Sequence, residues 1–158
     1  VLGQVNHAGR FPLETVNTRI SEMIAVAGGI SGTGADTVIL TGTRDGKPFR
    51  REIDIAAIFL NDKMQDDIVV AGGDVIYVHN HAMYYIYGEV QRPGYHRLER
   101  NMTVRQAIAQ SSGPTLRGTE RRLRLYRRGA DGKIEQSVQV LDDLMRPDDV
   151  LYVNESLF

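Results

Sequence analysis

A chain of 158 residues suffices for one domain or two small ones, and its 42% apolar and 25% charged content is ordinary for a globular protein. A formal net charge of −1 excludes a general attraction to nucleic acid or anionic membrane, and the absence of cysteine excludes disulfides and thiolate metal sites. No apolar run approaches the roughly 18 residues of a membrane-spanning helix, and because the chain opens on valine its natural N-terminus is expected to have been removed.

The first stretch, VLGQVNHAGRFPLE (1–14), has an echo in YIYGEVQRPGYHRLE (85–99). Gly3, Val5, Gly9 and Leu13 match Gly88, Val90, Gly94 and Leu98, all at a spacing of 85. Such a period is too long for a solenoid unit, of about 20 to 50 residues, and points to two copies of one small domain. Ile20, Met23, Ile24 and Ala27 then form one helical stripe, stopped by Gly28 and Gly29. Val104, Ala107, Ile108 and Ser111 repeat the stripe before Gly113, with Thr103 and Gln106 at capping-box spacing. Asp45-Gly46 and Asp131-Gly132 each divide two strand-like runs and predict hairpins. Each copy closes on a similar phrase, GGDVIYV (72–78) and PDDVLYV (147–153).

The unit expected from this order is strand, corner, strand, helix, hairpin, strand. One helical stripe covers one face of a small mixed sheet, a β-grasp-like α+β arrangement. The first domain spans 1–80, with an insertion near 55–70, and the second spans 84–158. Units this small are near the lower limit of independent stability and are expected to pack on each other or on neighbours.

The series GEVQRPGYHRL, TVRQAIAQSSG, LRLYRR and PDDVLYV, with its echoes in the first half, resembles the soluble-ligand-binding β-grasp (SLBB) family. The whole chain is similar to the tandem SLBB pair of bacterial outer-membrane polysaccharide export proteins. That resemblance implies a non-enzymatic periplasmic module without cofactors. It would sit in a homo-oligomeric ring that carries capsular or exopolysaccharide, receive glycan from an inner-membrane export or polymerisation partner, and reach the outer membrane through regions outside this sequence. The alternative is a small-ligand or glycan-binding receptor domain with no conduit. The first copy departs from the pattern with Ala8-Gly9 where the second has Pro93-Gly94, and neither an export domain nor a membrane helix accompanies the pair.

Gly9, Pro93 and Gly94 are read as fold-defining turns, Arg92 to Tyr95 having type II chemistry, with the flanking strands meeting at an angle. Arg121, Arg122, Arg124, Arg127 and Arg128 are candidates for partner or glycan contact, since guanidinium forks suit carboxylates and phosphates. They equally suit a solvated strand whose charges discourage edge pairing. Strand alternation puts Arg122, Arg124 and Arg128 on one face with Tyr126, and Leu123 and Leu125 on the other. A single basic strand with one tyrosine is not a stacking platform for nucleic acid.

Tyr85 and Tyr87 share a face opposite Tyr84 and Ile86, and tyrosines here are expected to fill a domain seam in preference to stacking on sugar. His79 and His81 are read as loop residues, two ligands being too few for a metal. Asp62, Asp66 and Asp67 are read as surface charge on the insertion. GGISGTG (28–34) lacks the lysine of a phosphate-binding loop, and no base–nucleophile pair is evident.

Overall fold

A computed structural model describes residues 1–157. In chain order the elements are β1 (Leu2–Gly3), α1 (Ile20–Val26), β2 (Gly34–Arg44), β3 (Lys47–Asp54), α2 (Ile55–Leu60), β4 (Val75–Asn80), β5 (Met83–Gly88), β6 (Gly94–Arg97), α3 (Val104–Gln110), β7 (Leu123–Arg128), β8 (Ile134–Gln139) and β9 (Val150–Val153). They form two compact units, Val1–His81 and a second from Ala82 onward. Each has its own sheet and its own apolar core.

The first sheet runs β1-β4-β2-β3 and the second β6-β5-β9-β7-β8. Apart from β6 the two orders are the same. The first and last strands of each unit pair in parallel, Leu2 opposite Tyr77 and Tyr87 opposite Tyr152, while every other pairing is antiparallel. Both units are therefore α+β folds of the β-grasp kind, two in tandem.

Both helical stripes are buried. Ile20, Met23, Ile24 and Ala27 pack with Val38, Leu40 and Val78 of the first sheet, and Val104, Ala107 and Ile108 pack with Leu123, Leu125, Leu151 and Val153 of the second. Helix α3 starts with the expected capping box. The Gln106 backbone N–H donates to Thr103 Oγ1 at 3.2 Å, and the Thr103 N–H donates to Gln106 Oε1 at 2.9 Å. Helix α1 follows Arg19, which offers no accepting oxygen, and takes its cap from the insertion. Ser21 donates its backbone N–H to Asp67 Oδ1 at 3.0 Å and its hydroxyl to Asp67 Oδ2 at 2.7 Å. Asp67 is thus buried, and the surface-charge reading fails for it because it satisfies helix donors that have no acceptor of their own. Asp66 does remain at the surface, 3.1 Å from Arg51.

Both hairpins form. Asp45 and Gly46 take φ of 50° and 74°, the doubly left-handed two-residue turn between Arg44 and Lys47. The second is wider. The Gly129 N–H donates to the Lys133 carbonyl at 2.8 Å, and Gly132 has φ of 79°. That is a three-residue loop with its left-handed residue last.

Three expectations need correction. The strand after the corner exists only in the second unit, as β6. Residues 10–14 of the first unit belong to no strand. The strands flanking the Arg92–Tyr95 corner do not meet at an angle: β5 and β6 are antiparallel neighbours, with Tyr85 opposite Tyr95. Gly94 has a positive φ of 129°, whereas Gly9 has none and is held by its N–H donating to the Val1 carbonyl at 2.9 Å. Finally, His79 is not in a loop but in β4.

Gly3 and Gly88 close the parallel pairs. Their φ values are 89° and 92°, and a Cβ would lie 2.0 Å from the Val78 carbonyl oxygen and 2.4 Å from that of Val153. The following N–H groups, of Gln4 and Glu89, donate to those same carbonyls at 2.8 and 2.9 Å. Gly88→Ala is expected to lower unfolding stability in urea by about 3 kcal/mol, from a left-handed non-glycine residue plus a backbone clash. Gly29→Ala, at φ 84° with open space around it, is expected to cost only about 1 kcal/mol.

Candidate functional site

The closing phrases of the two units build the same polar device. Asp74 follows a tight turn. Its own N–H donates to the Ala71 carbonyl at 3.1 Å, and its Oδ2 accepts the Ala71 N–H at 2.9 Å. Arg44 at the end of β2 then clamps the carboxylate with two bonds of 2.9 and 2.7 Å. Asp149 repeats this with the Arg146 N–H at 2.7 Å and with Arg127 of β7 at 2.8 and 2.7 Å. Both carboxylates are out of contact with water, while their arginines retain a solvent edge. The fork from Arg44, helped by the Ala71 N–H and opposed by burial, holds the Asp74 carboxyl below its usual range. Arg127, a candidate for partner contact on sequence grounds, is therefore occupied inside its own domain.

The other candidates separate in space. Arg122 precedes β7 in a left-handed conformation, φ 55°, and its carbonyl accepts from the Asn154 side chain. It lies outside the β7 ladder, so strand alternation does not extend to it. Arg121, Arg122 and Arg124 together line a groove of about 820 Å³ with Val138, Asn154 and Glu155. Arg128 lies at the far end of β7, where its Nη1 donates to the Gly132 carbonyl at 2.7 Å. Among the described residues, neither Arg124 nor Arg128 meets a carboxylate.

The alternation expected for β5 holds, and it divides the tyrosines. Tyr84 is fully buried in the core of the second unit rather than in a seam. Its hydroxyl donates to the Ala107 carbonyl at 2.9 Å and lies 2.7 Å from the Gln110 side chain, tying sheet to helix. Burial pushes its pKa up to about 12. Tyr85 and Tyr87 are each 43% exposed on the opposite, outer face of the sheet.

Strand register carries that outer face across the unit. Tyr95 stands opposite Tyr85, Tyr152 opposite Tyr87, Arg124 opposite Tyr152, and Tyr126 opposite Val150. Five of the chain's seven tyrosines therefore share one surface. The Tyr85 and Tyr95 rings are 6.4 Å apart, those of Tyr87 and Tyr152 are 4.8 Å apart, and the Arg124 guanidinium sits 5.8 Å over the Tyr152 ring. Burial, then the neighbouring Tyr126, raises the Tyr87 pKa. Ile134, Gln136 and Val138 of β8 complete the face beside Arg128, Tyr126 and Arg124. No aspartate or glutamate occupies these register positions.

Sequence reasoning did not join Tyr95, Tyr126 and Tyr152 to the β5 pair. Strand alternation alone does not say which strands are neighbours. It also missed Arg44 and Asp74, although the Asp74–Asp149 match was visible and Arg44 precedes the first hairpin turn much as Arg127 precedes the second.

Two small mixed sheets, each covered by a helix and joined in tandem, define a double β-grasp protein. The SLBB domain model matches residues 83–137, and a second model, also described as an SLBB domain, matches residues 1–78. The chain belongs to the SLBB domain family, with two such domains in tandem. No curated protein matches the chain significantly. Among the described residues no helix is long and apolar enough to cross a membrane, and no three His, Asp or Glu side chains converge as metal ligands.

Asp149→Ala is expected to lower unfolding free energy by about 2–3 kcal/mol, less than for a fully buried pair because Arg127 can turn to water. Asp142→Ala, which breaks only an exposed 3.3 Å contact with Arg105, is expected to cost under about 1 kcal/mol. Asp74 contributes stability that is complete above the unfolded carboxylate pKa of about 3.9 and is lost as pH falls through its lower folded value. Urea titrations at pH 6 and pH 3 are expected to show that acid-dependent loss in the native chain and a smaller one in Asp74→Asn.

Proposed function

We propose that this tandem is a structural module of a bacterial polysaccharide export protein, working in the periplasm through subunit contacts and by supporting a glycan conduit. The observation that carries the reading is the full-length duplication of an SLBB domain, since the family is known from such exporters. The chain then acts as a scaffold rather than as an enzyme. Its oligomer is a ring of identical subunits, a heterologous assembly in which each copy offers two different surfaces and the rotation between neighbours closes the circle. An inner-membrane export or polymerisation partner hands over the glycan.

A second reading is a glycan-binding receptor with no conduit. The exposed tyrosine face of the second domain favours it, because aromatic rings bind sugars without any ring of subunits.

Light scattering and negative-stain images of the full-length protein separate the two. A closed oligomer, together with loss of surface polysaccharide when the tandem is deleted in the cell, is the expected result. A strictly monomeric full-length protein, with polysaccharide export intact after the deletion, contradicts the exporter reading.

A further inference from the structure

We infer that the outer face of the second domain's sheet binds a carboxylated polysaccharide, with tyrosines stacking on the sugar rings and Arg124 holding a uronate. The inference rests on the polysaccharide reading above and narrows it to a site and a ligand class.

The face has two halves with different chemistry. On β6, β5 and β9 stand Tyr95, Tyr85, Tyr87 and Tyr152, exposed in part and set in two ring pairs of 6.4 and 4.8 Å. A tyrosine ring packs on the C–H face of a pyranose while its hydroxyl bonds a sugar hydroxyl, so a row of tyrosines suits a polymer of sugars better than an aliphatic peptide anchor. On β7 stand Arg124 and Arg128, neither paired with a carboxylate among the described residues. Arg124 lies one strand from Tyr152 and over its ring, so a carboxylate on a sugar stacked at Tyr152 comes within reach of the fork.

Charge limits the alternatives. The strand positions of the face carry arginine and no acidic residue, and Glu155, which lines the groove beside Arg124, is already paired with Arg117, whereas the chain as a whole is at −1. A second copy of the same face would bring like charges together, which opposes self-pairing. Two free cations on an open sheet are few for a nucleic acid, which has a phosphate at every nucleotide and is held in a basic groove that tracks its backbone.

The test is a nuclear magnetic resonance titration of this chain with four probes: a hexamer of galacturonic acid, maltohexaose, hexaglutamate and a thymidine hexanucleotide. The galacturonate hexamer is expected to shift the amides of Tyr85, Tyr87, Arg124 and Tyr152 and to bind at least about tenfold tighter than the other three. Binding should weaken with added salt. Arg124→Gln and Tyr85→Ala, both at exposed positions, should each lose about tenfold, while Arg105→Gln, on helix α3 and so on the opposite side of the sheet, should change it less than about twofold. Equal or tighter binding of any other probe, shifts confined elsewhere, undiminished binding by both face variants, or no uronate binding would each overturn the proposal. A fragment that ignores uronate, in a full-length protein that still forms rings, removes this site and leaves the exporter reading intact. A fragment that binds uronate, in a monomeric full-length protein, keeps the site and removes the conduit.

Discussion

The architecture depends on how the first strand of each domain leaves the sheet. It pairs in parallel with the last strand and must then turn off the ladder at once, with a carbonyl of that last strand pressed against its Cα. Gly3 against Val78 and Gly88 against Val153 are the two instances. A parallel pair brings together segments distant in sequence, and here that pairing joins residue 2 to 77 and residue 87 to 152. Everything between must fold into the enclosed space: the helix on one face and the hairpin at the side. After the glycine the chain crosses to the end of the helix. Asn6 and His7 donate to the carbonyls of Gly29 and Ala27, and Gln91 and Arg92 to those of Gly113 and Ser111. One left-handed residue thus connects the sheet to the helix C-terminus.

The same glycine shapes the functional surface. A Cβ at Gly88 would lie 2.8 Å from the Tyr152 ring, and one at Gly3 would lie 3.1 Å from the Tyr77 ring. The absent side chain leaves room for an aromatic ring to lie across the strand end on the outer face. In the second domain that ring is joined by four other tyrosines and by Arg124. In the first, Tyr77 has Leu2 and Ile39 opposite it and Val75 two residues earlier on its own strand. Two copies of one fold therefore present different surfaces, one aromatic and cationic, the other mixing Leu2, Ile39 and Val75 with Thr41, Arg50 and Glu52. Inside, they agree, down to the Arg44–Asp74 and Arg127–Asp149 forks that tie the last turn to the hairpin.

Much of the fold was legible because the chain states it twice. A stripe such as Ile20, Met23, Ile24 and Ala27 is ambiguous in so short a run, but its repetition before a second glycine stop removes the ambiguity. The Asp-Gly turns and the DVxYV ending were readable for the same reason. What stayed hidden depends on which segments become neighbours. Asp67 resembles its neighbours Asp62 and Asp66, and only the fold places it beside Ser21 at the start of a helix that lacks a cap of its own. Arg127 resembles Arg128, yet one faces Asp149 and the other the open side of the sheet. The tyrosine surface likewise needed the strand order β6-β5-β9-β7, in which β9, late in the chain, lies between β5 and β7.

Both domains depend on one crossing, made in each by a parallel pair that ends on a left-handed glycine. Backbone nuclear Overhauser contacts measured on the 158-residue chain test it most directly. Contacts linking Gly3 with Val78 and Gly88 with Val153, both in the parallel pattern, are the predicted result. An antiparallel pattern at either site, or contacts that join Gly3 to Val153 across the two halves, would contradict it.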